Sequence, residues 1–252
     1  MGAFMKAAFA MWKNSRMIIL VAVCAAIYGA ALIAFKTAIP IIPGITELRV
    51  GQIFPVAFGL LFGPAGAWGT AFGNIIGDLF GGTLGPGSIA GFIGNFLQGY
   101  LPYALWTQLF PWARLSREWQ GGSWAHRLNY FFIIFVSGAA CAVVISAMVD
   151  ALGIVPYAVL SKIITLNNTL GGWIGVILLA SVFRVTKDQF GLFWADVMDE
   201  EDIGKPRAGF LGAWMVTLAS IVGILAGLIP GVPPSTVGWV CTLFIFIGCM
   251  LL

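Results

Sequence analysis

From Met17 to Phe35 the chain runs without one charged residue. A run of this length and apolarity is what a helix needs to cross the hydrocarbon core of a bilayer, about 20 residues at 1.5 Å rise each. Similar apolar stretches recur down the chain. Only 9% of the 252 residues are charged and 60% are hydrophobic, with a mean hydropathy of +0.97. A soluble domain carries about a quarter charged residues. The composition therefore excludes a soluble enzyme, a disordered chain and a nucleic-acid binder, and defines an all-α, polytopic membrane helix bundle.

Residues 1–16 carry Lys6, Lys13 and Arg16 between Phe4, Met5, Phe9 and Trp12, and read as an amphipathic segment on the membrane surface. The run from Met17 is too long for a signal peptide and is read as a retained first span. Residues 36–50 form a loop with Pro40, Pro43, Glu47 and Arg49. Two short apolar pieces, 51–62 and 65–80, flank the Gly63-Pro64 break and are expected to be short or bent spans. Further spans are expected at 88–106, 129–149 and 167–183, with 150–165 read as a loop plus a half-helix. Residues 17–184 thus make a six-span core. Residues 185–207 form a polar segment in which Phe190, Phe193, Trp194 and Val197 recur at helical spacing before the acidic run 199–202, and are read as an interfacial helix. Residues 208–252 form a final hairpin, for about eight spans.

Orientation follows from the placement of cations. Lys6, Lys13, Arg16, Arg114, Arg117, Arg127, Arg184, Lys187, Lys205 and Arg207 fall on one side, and only Lys36, Arg49 and Lys162 on the other. The positive-inside rule then places both termini in the cytoplasm of a multi-pass cell-membrane protein.

Polar residues inside spans are costly and mark function by default. Asn74 and Asp78 lie four residues apart on one helix face, and Asn95 and Gln98 three apart on the next. They belong to two similar stretches, GNIIGD and GNFLQG, whose glycines are expected to bring these two helices together. With Glu47, Arg49, Lys162, Asn167 and Asn168, they all fall in the outer half. The expectation is an outward-facing pocket for a small polar molecule, with loop 36–50 as its lid. Asp78 also suits a structural role at the Gly-rich turn 81–87, and Asn167 or Asn168 a helix cap. In the first span Ala22, Ala26, Ala30 and Ala34 form a stripe of small residues that allows another helix to approach closely.

Catalysis and redox chemistry find no support. The four cysteines lie in apolar runs without metal-ligand or redox spacing. The one histidine, His126, is read as a loop residue, and no phosphate-binding loop is present. No cofactor or metal is expected.

The six-span core, the Ala-x-x-x-Ala first helix, the proline-bearing first loop and Gly63-Pro64-x-Gly66 opening a Gly-rich span with Gly73 and Asp78 together resemble the S components of energy-coupling factor (ECF) transporters. The resemblance covers about residues 16–184. It implies a subunit that captures a vitamin or related small molecule outside and delivers it through a transmembrane coupling subunit and two ATPases. It also makes the alanine stripe the coupling face. The hairpin 208–252 departs from the family pattern. A self-sufficient secondary transporter with Asp78 as its proton or cation site, and a membrane scaffold, are the alternatives.

Overall fold

The computed structural model describes residues 3–35, 40–42, 46–47, 50–228 and 230–252, with the side chains of 3–4, 40–42 and 46–47 left aside. Helix α1 (Ala3–Ala10) precedes α2 (Ser15–Phe35), whose start is capped by Asn14: its Oδ1 accepts from the N–H groups of Arg16 (2.9 Å) and Met17 (3.2 Å). A short antiparallel pair, β1 (Pro40–Ile42) and β2 (Thr46–Glu47), follows. Then come α3 (Ile53–Phe62), α4 (Pro64–Phe80), α5 (Gly87–Leu105), α6 (Trp124–Ala151) and α7 (Tyr157–Arg184). Two single turns, α8 (Trp194–Val197) and α9 (Glu200–Ile203), lead to the hairpin α10 (Gly209–Ile224) and α11 (Pro234–Leu251). The result is the helical membrane bundle that the composition requires. Among the described residues, four segments are long and apolar enough to cross a membrane, Ser15–Phe35, Trp124–Ala151, Tyr157–Val197 and Pro234–Leu251, and Val50–Phe62 and Gly209–Ile224 are shorter apolar helices.

The break between α3 and α4 has a local cause. Gly63 adopts φ +54°, a conformation that suits glycine, and Pro64 starts the next helix at a position where its missing N–H costs nothing. At 10 residues, α3 is about 15 Å long, half the hydrocarbon thickness. It packs against α4, α5 and α7.

Four sequence expectations are corrected. First, residues 157–184 form one continuous helix, so Asn167 and Asn168 lie in its middle and cap nothing. The chain turns earlier: Gly153 takes φ +69°, and Asp150 Oδ1 accepts from Tyr157 N–H at 2.9 Å to start α7. Second, the glycine stripe Gly69, Gly73 and Gly77 of α4 faces α2, where Cys24, Tyr28 and Leu32 fill the space that Cβ atoms would take. It does not join α4 to α5; on the other side of that contact Gly91 and Gly99 of α5 do lie against α4, at Asn74 and at Ala67 and Thr70. Third, no amphipathic helix runs through 190–197. The chain kinks at Gly191 (φ +59°), leaving Phe190 exposed while Phe193 and Trp194 turn inward against Phe183 and Tyr103. Packing wins over helical periodicity there because both rings find a buried aromatic partner. Fourth, His126 is no loop residue. It sits in the first turn of α6, is buried, stacks edge-on against Trp106 and accepts from Gln120 N–H at 3.1 Å.

Helix α1 also finds protein partners. Ala7, Ala8 and Met11 are buried, and Trp68 Nε1 donates to the Ala8 carbonyl at 2.7 Å. At the same end Lys6 donates to the Glu201 carbonyl, Asn14 to the Val197 carbonyl, and Lys187 pairs with Glu118 at 2.7 Å. The hairpin α10–α11 lies on α6, with the Tyr157 hydroxyl donating to the Gly223 carbonyl.

Candidate functional site

The polar residues of α4 and α5 meet. Both Asn74 and Asn95 are buried, at 2% and 1% exposure, and Asn95 Nδ2 donates to Asn74 Oδ1 at 3.0 Å and to the Gly91 carbonyl at 2.8 Å. The two similar stretches therefore place their asparagines face to face. Gly91 is required there, because a Cβ at this position would come within 2.5 Å of Asn74 Nδ2. From Asn74 the chain of bonds continues outward: its Nδ2 donates to Asp78 Oδ2 at 3.2 Å. Inward, the Tyr28 hydroxyl of α2 donates to Asn95 Oδ1 at 2.7 Å. Thr70 Oγ1 adds a bond to the Asn95 carbonyl at 3.0 Å. One run of hydrogen bonds thus links a fully buried tyrosine to a half-buried carboxylate across three helices.

Asp78 stands at the more exposed end of that run. Its Oδ1 also accepts from Thr83 Oγ1 at 3.2 Å, so it secures the Gly-rich turn as well as orienting Asn74. Both the structural and the ligand-facing roles are compatible with this position, because a carboxylate has about four lone-pair sites.

A second group of polar side chains lies deeper. Gln98 is fully buried, and neither end of its carboxamide has a hydrogen-bond partner. Thr169 Oγ1 and Gln52 Oε1 are likewise buried without partners. An orphaned buried polar group costs about 1–3 kcal/mol, so each of these calls for an explanation. Asn167 and Asn168 of α7 are buried at the same level, with Asn168 and Thr169 packed on Gly138 of α6.

Not every expected residue joins. Lys162 is exposed, donates to the Ala158 carbonyl at 3.0 Å and lies toward Gly227 of the hairpin connection, apart from the Asn74–Asn95 pair. Arg49 falls outside the described residues, and of Glu47 only its place in β2 is described, so the lid expected from 36–50 lies largely outside them as well. Tyr28, Gln52 and Thr169 escaped the sequence reading. Tyr28 carries the first span's hydroxyl and Gln52 a carboxamide at the edge of a span, which is the signal that could have found them. Among the described residues no group of three His, Cys, Asp or Glu side chains could hold a metal.

Apolar helices that enclose a connected set of hydrogen-bonding side chains near one end define an integral-membrane protein built around a small polar site. The QueT transporter family model matches residues 18–184, and the chain belongs to that family, whose members are ECF-type S components. The match covers the core that the sequence resemblance covered and stops at the end of α7. Neither the curated proteins nor the solved structures gave a match.

Proposed function

We propose that this chain is the substrate-capturing subunit of an ECF-type importer, and that its cargo is a queuosine precursor. The observation that carries the reading is the hydrogen-bond run Tyr28–Asn95–Asn74–Asp78 within the family-matched segment. A queuosine precursor is a flat 7-deazaguanine-type base rich in N–H groups. Asp78 accepts from the N–H of its five-membered ring, at the end of the base away from the lactam, while Asn74 and Asn95 supply a donor and an acceptor. Orientation of these side chains by one another lowers the entropy lost on binding. The family name supports the cargo class, and the single-chain location of the network supports capture without ATP or partners.

In the proposed assembly, residues 17–184 are the six-helix binding core, 1–16 and 185–207 line the cytoplasmic face, and 208–252 form an added hairpin. Both termini are cytoplasmic, which puts Asp78 toward the outside. A transmembrane coupling subunit and two ATPases complete the importer.

Calorimetry on the purified chain with 7-cyano-7-deazaguanine tests the reading. Binding is expected without ATPase subunits. Asp78→Asn and Asn95→Ala should each weaken it by about one to two powers of ten, the worth of a hydrogen bond to a charged or buried group. Lys162→Ala should leave it unchanged. Equal affinity in all three variants would return Asp78 to the turn as a structural residue. Uptake that survives ATP depletion but collapses with a protonophore would favour a secondary transporter.

A further inference from the structure

Gln98 has no structural task that the fold explains. It lies on α5 one turn beyond Gly94, the glycine against which Cys141 and Ile145 of α6 pack. One turn back along α6, Gly138 receives Asn168 and Thr169 of α7. Gly138, Cys141 and Ile145 are spaced i, i+3, i+7 and share one face of α6, so α5 and α7 bring Gln98 and Thr169 toward that face at the same level of the bundle. Both are buried, at 0% and 6% exposure, and three polar atoms, Gln98 Oε1, Gln98 Nε2 and Thr169 Oγ1, lack partners. An apolar side chain of the same shape at either position would remove that penalty. Gln52, at the start of α3, adds a fourth orphaned atom and rests on Gly171, two residues beyond Thr169 in α7.

We infer that Gln98 and Thr169 form the floor of the binding site and read a lactam edge, the ring N–H beside a ring-attached C=O. A primary carboxamide presents a donor and an acceptor side by side, and a cis-lactam presents the complementary pair. Two parallel hydrogen bonds then satisfy both ends of Gln98 at once, and Thr169 Oγ1 bonds a neighbouring ring substituent. The inference rests on the reading of this chain as a substrate-binding subunit and extends it: the cargo belongs to the oxo-heterocycles. Asp78 and Asn74 lie nearer the outer end, so the lactam edge enters first and points inward. Gln98 has no solvent contact. A ligand reaches it only by moving the side chains that cover it, and association should be slow.

The test uses the purified full chain, its Gln98→Leu and Thr169→Val variants, and three lactam-bearing probes: 7-cyano-7-deazaguanine, guanine and riboflavin. Affinity is measured by calorimetry and stability by thermal unfolding. The wild type should bind at least one probe. Each variant should bind that probe about tenfold or more weakly, the loss expected for a buried hydrogen-bonding pair, with an unchanged or higher unfolding temperature. The N-methylated lactam of the same probe should bind the wild type more weakly than the parent, and Q98L equally. Unchanged affinity in Q98L and T169V overturns the inference. Loss of affinity with a matching fall in unfolding temperature in both variants also overturns it, because that is the mark of a packing role. Binding of guanine or riboflavin but not 7-cyano-7-deazaguanine, with loss in Q98L, supports the lactam floor and removes the queuosine precursor as cargo. A wild type that binds none of the three overturns both.

Discussion

Replacing Ala26 and Ala30 together with tryptophan should abolish uptake while leaving ligand affinity within about twofold of wild type. The residues that hold α2 to the bundle are Val21, Cys24, Ala25, Tyr28 and Leu32, all buried. Ala22, Ala26, Ala30 and Ala34 lie on the other side of α2 and are exposed. Lipid tails are as apolar as leucine, so a partner helix gains little from hydrophobic contact and depends on close approach between smooth surfaces. Two indoles would hold the proposed coupling subunit away by the thickness of a side chain. The check is uptake by cells carrying the double variant, set beside calorimetry on the purified variant and its copurification with the coupling subunit. Wild-type uptake with both tryptophans in place would remove the stripe as a docking surface. Parallel loss of binding and uptake would show that the change reaches Tyr28, which sits in the same helix.

The opposite face of α2 should be far less tolerant. Gly69 and Gly73 lie where a Cβ would strike Cys24 Cβ and the Tyr28 ring, the latter at 2.9 Å, with the Val21 and Ala25 carbonyls close behind at 3.1 Å each. Backbone carbonyls cannot rotate away as a flexible side chain can. Gly69→Leu and Gly73→Leu should each destabilise the protein by about 3 kcal/mol, the upper end for overpacking. Gly73→Leu should also cost ligand affinity, because it displaces Tyr28 from Asn95. Ala22→Leu, the same enlargement on the exposed face, should change stability by less than about 0.5 kcal/mol. Thermal unfolding of the three variants separates these outcomes, and a Gly69→Leu protein as stable as wild type would mean that α2 is not held where the seam places it.

The alanine and glycine stripes look alike as sequence. Each repeats a small residue every fourth position, and that spacing states only that a helix has a smooth face. Which face meets the protein's own chain and which meets lipid depends on where Cys24, Tyr28 and Leu32 find room. Similarly, Asn74 and Asn95 were recognisable as polar residues in apolar helices, yet their mutual hydrogen bond follows from the crossing of α4 and α5 at Gly91. Phe193 and Trp194 show the converse: helical spacing suggested an interfacial helix, and burial against Phe183 and Tyr103 overrode it.

The sequence by itself determined that the chain is a helical membrane bundle, because 9% charge and repeated apolar runs leave water no surface to hold. It also determined where most helices end, since Gly63-Pro64, the Gly/Pro turns and Asn14 act through their own local backbone geometry. Only the tertiary structure decided that Tyr28 closes the polar run on Asn95, that Lys162 stands apart from it, and that Gln98 and Thr169 are buried without hydrogen-bond partners. Those relations join residues on separate helices, and they depend on which helices become neighbours and how each is rotated. Helical periodicity states which residues share a face of one helix, but it does not state which other helix that face will meet.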